Sequence, residues 1–448
     1  MRTCAGFSGG ENTLVPESLP LTLRAYRLLT TAATPLAPAL VAHRLKRGKE
    51  NAARLAERYG ESRIARPAGP LAWVHGASVG ELLAVVPLIE RIRAKEISVL
   101  CTSGTVTSAS LAEQRLPKEV IHQFVSLDAP RFVRRFLDHW RPDIALFAES
   151  DLWPNLIVEC SRRRVPLILV NGRMSERSFS RWRRVPGTIA ALLRCFDVCL
   201  TQSAAYAERY HELGAPHVIT TGNLKLDVPE PPADASKLAT LRAAIGERTV
   251  VAGASTHAGE EAMLIEAHRR LRGSFPGLLT ILAPRHPERG PGILEIAHAA
   301  DLKARLRSRG ELPQADSDIY VADTLGELGV IYRLAPIVFI GGSLASRGGQ
   351  NPIEPVKLGA AILHGPHVWN FAEIYAALDQ SHGAQEVSDA GKLASQLGAW
   401  LSDAGARATT VATARRTVAA LGGALERTLT ALEPYLMQIR LEHHSADA

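Results

Sequence analysis

The chain has 448 residues, of which 46% are hydrophobic and 22% are charged. This composition is normal for a globular protein and excludes extensive disorder, and the length exceeds one ordinary core, so we expect two domains. The formal net charge of +7 favours an acidic partner such as a phosphate, a nucleotide or an anionic membrane surface. Nucleic acid is disfavoured, because the basic residues are not interleaved with aromatic residues in a recognisable module.

The N-terminal region, residues 1–50, is predicted to be an extension, unstructured from Met1 to Pro20. Residues Leu28–Ala42 are uncharged, but they contain Pro35 and Pro38 and fall short of the about 20 residues that a spanning helix requires. Basic residues flank this stretch on both sides. Two interpretations stay open: an interfacial anchor held against anionic headgroups, or an ordinary helix packed on the first domain.

Short β-rich runs alternate with helical patterns along most of the chain, which predicts βαβ units and parallel sheets. The Pro-rich stretch 228–234 breaks this alternation and is the best linker. We therefore predict an α/β protein with two doubly wound Rossmann-like domains, 51–227 and 228–448, facing a cleft. The predicted strands are Leu71–His75, Ile97–Thr102, Val120–Val125, Asp143–Ala148, Pro166–Val170, Phe196–Thr201, His217–Thr221, Thr249–Ala254, Leu278–Ala283, Asp318–Ala322, Ile337–Gly341, Ala360–Leu363 and Ala384–Val387.

The five cysteines fit neither a disulfide framework nor a zinc site, which favours a reducing compartment. Cys195 and Cys199 are interpreted as core residues. The others are Cys4, Cys101 and Cys160.

The first motif, Leu71–Glu81, is a buried strand, a turn of small residues and a helix that opens with a carboxylate. Open α/β folds bind ligands at such turns, where an acid can accept a substrate proton. The alternative is that Ser78 and Glu81 form a capping box that satisfies helix amides.

Further polar residues follow strands of the predicted first domain. Glu149 and Asp151 come after the strand that ends at Ala148, and Trp153 beside Pro154 suggests a pocket wall. Lys225 follows the last strand of this domain, where it could face the cleft, although most lysines are simply solvated.

In the second domain, the glycine-rich segment Gly341–Pro355 follows a strand and ends at a helix start with Asn351 and Pro352. Its glycines would let backbone amides reach a ligand, and the helix start favours anions. Glu354 is either a cap or an acceptor for ribose hydroxyls. Arg285, at another strand end, can form a fork of hydrogen bonds to a phosphate.

Several motifs are absent: P-loop, dinucleotide, metalloprotease and nucleophile-elbow signatures. Together, the motifs that are present resemble the 3-deoxy-D-manno-octulosonic acid (Kdo) transferase family of lipopolysaccharide synthesis. The matching blocks are His75–Glu81, Thr102–Thr105, Glu149–Leu156, Asn171–Ser178, Gly222–Lys225, Pro284–Arg289, Gly341–Glu354 and His364–His367.

The resemblance implies a GT-B glycosyltransferase fold, with the acceptor bound by the first domain and CMP-Kdo by the second. It implies inverting transfer of Kdo to a lipid A precursor (lipid IVA) at the cytoplasmic face of the inner membrane, with no metal ion. Glu81 matches the general base, and Glu149 and Lys225 match residues that stabilise the transition state. The CMP-binding positions would be Pro284, Arg285, Gly326, Glu327, Leu328, Asn351, Pro352, Ile353 and Glu354.

Two alternatives remain at this point. One is a GT-B enzyme that uses a UDP-sugar. The other is a non-catalytic nucleotide-sugar-binding protein, in which Glu81 and Glu354 only cap helices.

Overall fold

The computed structural model describes residues 19–149 and 152–446, so Cys4, Ser150 and Asp151 lie outside the described residues. It divides into two compact units. The first contains the described residues up to Val228 together with those from Gly422, and the second is Pro229–Leu421.

Within its described residues, the first unit contains one parallel sheet of seven strands in the order β3-β2-β1-β4-β5-β6-β7. Strand β1 pairs with both β2 and β4, so the winding direction reverses there. Ligands bind open α/β sheets at such a reversal, outside the carboxyl ends of the strands. The strands are β1 (Leu71–His75), β2 (Ser98–Ser103), β3 (Ile121–Phe124), β4 (Ile144–Ala148), β5 (Leu167–Gly172), β6 (Val198–Thr201) and β7 (Val218–Thr220).

Helices cover both faces of this sheet, which explains why β1, β4 and β5 are buried throughout and mainly apolar. Cys195 and Cys199 are buried here, as expected for core residues. The helices are α1 (Leu21–Ala32), α2 (Ala37–Lys46), α3 (Val79–Arg93), α4 (Val106–Arg115), α5 (Pro130–Trp140), α6 (Pro154–Arg162), α7 (Glu176–Trp182), α8 (Pro186–Leu193) and α9 (Ala204–Glu212).

Helix α1 is attached to the first unit by one side only. Leu23 is buried in the core, the Tyr26 hydroxyl donates a hydrogen bond to Asp128 (2.9 Å), and Arg27 pairs with Glu159. Helix α1 therefore packs on the first unit, which is compatible with both interpretations of the N-terminal region. Leucines project from its other side, however, and no helix in the described residues is long and apolar enough to cross a bilayer.

The second unit repeats the architecture. Its parallel sheet, again of seven strands within 229–421, has the order β10-β11-β9-β8-β12-β13-β14, with the reversal at β8 between β9 and β12. Strand β10, on the edge, was not predicted, because the run Lys303–Arg307 contains no β-branched or aromatic residue. The strands are β8 (Val250–Thr256), β9 (Leu279–Pro284), β10 (Ala304–Leu306), β11 (Ile319–Val321), β12 (Ile337–Ile340), β13 (Ala361–His364) and β14 (Ala384–Glu386).

The helices of the second unit surround this sheet, and a core of aliphatic side chains lies between α11, α12, α16 and the strands. These helices are α10 (Ala235–Ile245), α11 (Glu260–Leu271), α12 (Gly290–Ala299), α13 (Leu328–Leu334), α14 (Ile353–Lys357), α15 (Ala372–Gln380), α16 (Ala390–Ser402) and α17 (Ala404–Leu421).

The last helix, α18 (Ala424–Ala446), corrects the predicted domain division, in which the second domain ran to residue 448. Leu432 and Leu436 of α18 are buried in the core of the first unit. Asp227 accepts hydrogen bonds from the backbone N–H groups of Gly423 (2.8 Å) and Leu425 (2.6 Å) and so caps this helix. The chain therefore returns to the first unit, so the first domain is discontinuous in sequence.

Candidate active site

In the first unit, Glu81 lies in the first turn of α3, directly after β1. Both parts of the capping box are present. Ser78 Oγ accepts from the Glu81 N–H (3.4 Å), and Glu81 Oε2 accepts from the N–H groups of Ala77 (2.7 Å) and Ser78 (3.3 Å). A carboxylate offers about four lone-pair sites, so capping and acceptance of a substrate proton are compatible. The cap fixes where the carboxylate is held.

His75, the last residue of β1, is completely buried. Its Nδ1 lies 2.8 Å from the Thr102 hydroxyl, which also accepts a hydrogen bond from the indole of Trp73 (2.8 Å). Complete burial lowers the pKa of His75 to about 4, so the ring is uncharged at neutral pH. His75 therefore adds no charge at the carboxyl end of β1 at neutral pH.

Glu149 and Lys225, distant in sequence, form an ion pair in which Lys225 Nζ lies 2.5 Å from Glu149 Oε1. Glu149 follows β4 with a left-handed backbone (φ 59°), and the Lys225 side chain is only 18% exposed. The alternative interpretation, that Lys225 is simply a solvated lysine, does not fit this burial and pairing. Asn171, near the end of β5, accepts the Leu224 N–H (2.9 Å) and anchors the turn that carries Lys225.

The topology brings these three residues to one edge of the first sheet. Strands β1 and β4 are parallel neighbours, so Glu81 and Glu149 both follow carboxyl ends there. Helix α3 packs against the turn Leu224–Leu226, which brings Lys225 to the same edge. The first unit thus holds a carboxylate on a helix start and a buried carboxylate–ammonium pair.

In the second unit, the segments predicted to bind CMP converge around Tyr332 of α13. Burial raises the pKa of Tyr332 well above its usual value, the Glu354 carboxylate raises it further, and Arg285 lowers it. Arg285 and Glu354 are therefore both electrostatic neighbours of Tyr332. Helices α13 and α14, which follow Glu327 and Pro352, also pack together. These segments come from three strand ends, after β9, β11 and β12.

The predicted helix start at Asn351 and Pro352 is present in short form. Asn351 Oδ1 accepts the Ile353 N–H (3.0 Å), and its amide donates to Glu354 Oε1 (3.3 Å). Helix α14 has only five residues. The short helix offers little dipole for an anion, so ligand binding here would depend on side chains and turns.

The carboxylate of Glu327 is held by ion pairs within the second unit. It forms a two-point ion pair with Arg307 (3.0 and 3.1 Å) and a second with Lys237 (2.7 Å). Burial opposes ionisation, but hydrogen bonds from Arg307, Lys237 and Thr324 lower the pKa of Glu327 to about 2. If the turn Gly326–Leu328 contacts a nucleotide, its backbone is the part available to do so.

The glycine-rich loop after β12 leaves fewer N–H groups for a ligand than its sequence suggests. Glu260 at the start of α11 accepts those of Gly342 (2.8 Å), Leu344 (2.9 Å) and Ala345 (3.0 Å). Glu260 also accepts the His257 N–H (2.8 Å) and is buried. No sequence motif indicated this role of Glu260, because its partners lie more than one strand away along the chain.

A possible metal site lies outside these groups. Among the described residues, the ligand atoms of His364, Asp379 and Glu386 lie within 4.8 Å of one another, and His364 Nε2 is 2.9 Å from Asp379 Oδ1. An ordinary histidine–carboxylate hydrogen bond accounts for this geometry. None of the three belongs to the predicted catalytic or CMP-binding set.

Two parallel doubly wound sheets with polar residues at their carboxyl edges define a GT-B fold of the glycosyltransferase type. Solved structures agree with the fold. A putative UDP-N-acetylglucosamine 2-epimerase from Listeria monocytogenes superposes with a TM-score of 0.57 at 14% identity, covering 83% of this chain and 98% of that chain. The UDP-GlcNAc 2-epimerase from Neisseria meningitidis superposes with a TM-score of 0.57 at 11% identity, covering 82% of this chain and 100% of that chain.

Sequence relatives identify the family. Residues 53–228 match the family model for 3-deoxy-D-manno-octulosonic-acid transferase (kdotransferase). The 3-deoxy-D-manno-octulosonic acid transferase of Rickettsia bellii is 32% identical over 84% of this chain and 90% of its own length. The enzyme of the same name from Bordetella pertussis is 34% identical over 85% of this chain and 91% of its own length. A probable mitochondrial 3-deoxy-D-manno-octulosonic acid transferase from Arabidopsis thaliana is 35% identical over 80% of this chain and 83% of its own length. The chain belongs to the Kdo transferase family.

Proposed function

We propose that the protein transfers Kdo from CMP-Kdo to a lipid A precursor (lipid IVA) with inversion at the anomeric carbon, and that Glu81 is the general base. The observation that supports this most is the placement of Glu81 by its capping box, at the same sheet edge as the Glu149–Lys225 pair. A base that is held in a fixed position needs little reorganisation as the reaction proceeds.

In the proposed step, Glu81 takes the proton from the acceptor hydroxyl while that oxygen attacks the anomeric carbon of Kdo. The bond from this carbon to the CMP phosphate breaks, and CMP leaves with the bonding electrons. The ammonium of Lys225, oriented by Glu149, would stabilise negative charge in the transition state. Its low exposure strengthens that interaction, because little water screens it.

The second unit would hold the donor. Arg285 is the residue best suited to the CMP phosphate, since no described carboxylate forms a salt bridge with it. It lies near the predicted CMP-binding residue Glu354, because both residues influence the pKa of Tyr332. The turn at Gly326–Leu328 and the segment Asn351–Glu354 would contact the rest of the nucleotide. We propose that the reaction needs no metal ion, with this cationic site stabilising the leaving phosphate.

The N-terminal helices would place the enzyme on the cytoplasmic face of the inner membrane. Their outer side exposes Leu28 (71%) and Leu29 (70%), together with Leu21, Leu36 and Leu40. Exposed basic residues, among them Arg24 and Lys46, lie on the same two helices. An apolar face bordered by positive charge is typical of helices that lie in the headgroup region of anionic bilayers. The acceptor is itself an anionic membrane lipid.

Transfer from CMP-Kdo to a tetraacylated lipid A precursor, followed by mass spectrometry, tests the proposal. We expect products heavier than the acceptor by whole Kdo units. If CMP-Kdo gives no product but a UDP-sugar does, the UDP-sugar alternative replaces our proposal. If no donor gives a product although CMP-Kdo binds, the non-catalytic alternative replaces it.

A further inference from the structure

A cavity of about 530 Å³ opens at the carboxyl edge of the second sheet, next to the glycine-rich loop. Strand β8 lies between β9 and β12, so the residues that follow these three strands converge there. The lining residues are His257, Ala258, His286, Arg289, Ala345, Ser346 and Arg347. His257, Arg289 and Arg347 are outside the set predicted to bind CMP, and so is His286.

Two arginines at the cavity have no carboxylate partner among the described residues, whereas its other charged groups do: His286 Nδ1 lies 3.7 Å from Glu288 Oε1. Arg289 pairs with Glu261 (3.0 Å), and the four backbone N–H groups described above satisfy the Glu260 carboxylate. Arg347, in contrast, forms no salt bridge with any described carboxylate, and neither does Arg285. An exposed guanidinium at the mouth of a cavity, with no acidic partner, is suited to an anionic ligand.

The histidines and arginines at this cavity are also close to one another. Burial lowers the pKa of His257, and Glu260 raises it. Coulombic interaction with His286, Arg347 and Arg285 lowers the pKa of His257 further, which is consistent with their placement around the cavity. The His257 and His286 rings have centroids 5.8 Å apart. Arg285, the residue proposed for the CMP phosphate, is thus a neighbour of this cavity.

The loop is built so that the cavity stays open. The carbonyl of Gly342 accepts the N–H groups of Arg347 (3.2 Å) and Gly349 (2.9 Å), which closes the loop on itself. A β-carbon at Gly342 would lie 3.4 Å from both the His257 ring and the Arg347 β-carbon. Gly342, at φ 73°, therefore leaves the space between His257 and Arg347 clear.

The proposed donor carries two anions on one carbon: the phosphodiester to CMP and the carboxylate of the sugar acid. A site with one cation for the phosphate therefore needs a second beside it. We propose that Arg347, assisted by His257 and His286, binds the carboxylate of the donor sugar, while Arg285 contacts the phosphate. This inference rests on the proposed function. It makes the cavity a specificity site for donors that are sugar acids, since neutral sugars of UDP donors would leave Arg347 without a partner.

Calorimetric titration of the full chain with CMP and, separately, with CMP-Kdo, in the absence of acceptor, tests this assignment. We expect the wild type to bind CMP-Kdo more tightly than CMP. Arg347→Gln should weaken CMP-Kdo binding about tenfold and leave CMP binding within about twofold, because only the former has a carboxylate. The affinity of Arg347→Lys for CMP-Kdo should lie between those of the wild type and Arg347→Gln, since an ammonium keeps the charge but loses the planar fork of the guanidinium. Arg309→Gln, an exposed arginine of the same unit outside the cavity, is the matched control.

Each other outcome overturns the assignment in a recognisable way. Equal weakening of both ligands by Arg347→Gln would assign Arg347 to the nucleotide instead. Unchanged affinity for both ligands, or a wild type that binds CMP and CMP-Kdo equally well, would remove the carboxylate site while leaving the proposed function in place. A wild type that binds neither ligand would overturn the proposed function itself and this inference with it.

Discussion

Lys225 and Glu149 form a close ion pair, 2.5 Å between Nζ and Oε1, with both side chains largely shielded from water. Removing one partner leaves the other charge buried alone, whereas removing both does not. Lys225→Met should therefore lower the free energy of unfolding by about 3 kcal/mol, and Glu149→Gln/Lys225→Met by clearly less. Urea unfolding of the two single variants and the double variant measures this coupling. Additive effects in the cycle would mean that the pair contributes nothing.

The double variant also separates stability from catalysis. Because it restores much of the stability but no ammonium, it should still lose most of its transfer activity. Recovery of transfer in the double variant would assign Lys225 a purely structural role.

Glu81→Gln should abolish nearly all transfer while the protein remains folded. Glutamine also accepts the capping hydrogen bonds through its amide oxygen, but it cannot take a proton from the acceptor hydroxyl. Initial rates with CMP-Kdo, alongside circular dichroism and CMP titration, measure the effect. Glu90→Gln, at an exposed position of α3, is the control and should retain full activity. Unchanged turnover in Glu81→Gln would leave this residue with its capping role alone.

Leu28→Ser/Leu29→Ser should weaken binding to vesicles that contain phosphatidylglycerol by more than about tenfold. Each of these exposed leucines contributes on the order of 1.5 kcal/mol or more when it enters the apolar phase. Co-sedimentation measures the bound fraction. Met437→Ser, which removes an exposed apolar side chain from α18, should bind as the wild type does. Equal binding by the double variant would mean that another surface contacts the membrane.

Stability should decline as the pH falls from about 6.5 to about 4, in part because of His75. Burial lowers the pKa of this ring from 6.5 to about 4 in the folded protein, so the unfolded chain binds a proton first. This difference in proton binding lowers the free energy of unfolding by roughly 3 kcal/mol at the acidic end of this range. Urea unfolding at several pH values should show a shallower slope for His75→Gln than for wild type. His122, with a pKa of about 3 through burial and Arg54, contributes in the same direction in both proteins. Parallel pH profiles would contradict this account.

Chelation should leave transfer unchanged, because the proposed mechanism stabilises the leaving phosphate with protein cations. The test is the initial rate after dialysis against EDTA, with and without added Mg²⁺ or Zn²⁺. A rate that falls on chelation and returns with one of these ions would contradict metal independence. His364→Ala would then show whether the ion binds with Asp379 and Glu386.

Much of the local structure was predictable from the sequence, because it depends on neighbouring residues. Continuous apolar runs bounded by turns indicated thirteen of the strands, and the ends of β1 and β12 were placed within a residue. The capping box of Ser78 and Glu81 was also predictable, since its members are three residues apart. Strand β10 was missed, because the charged run Lys303–Arg307 contains no β-branched or aromatic residue that would indicate a strand.

Other features were decided only by the tertiary structure, because their partners are far apart in the chain. Helix α18 joins the first unit through Asp227 and buried leucines, which no pattern within the helix reveals. The same is true of Lys225, whose partner Glu149 follows a different strand.

The carboxyl edges of the sheets illustrate the division most clearly. Sequence patterns were enough to recognise that Glu81, Arg285 and the glycine-rich loop follow strands, and that their residue types suit proton transfer and anion binding. Only the strand order decided that β8 separates β9 from β12, so that Glu260 takes the loop's N–H groups and His257 meets Arg347 at one cavity. Hydrogen bonding and burial act through space, and the fold determines which distant residues they join.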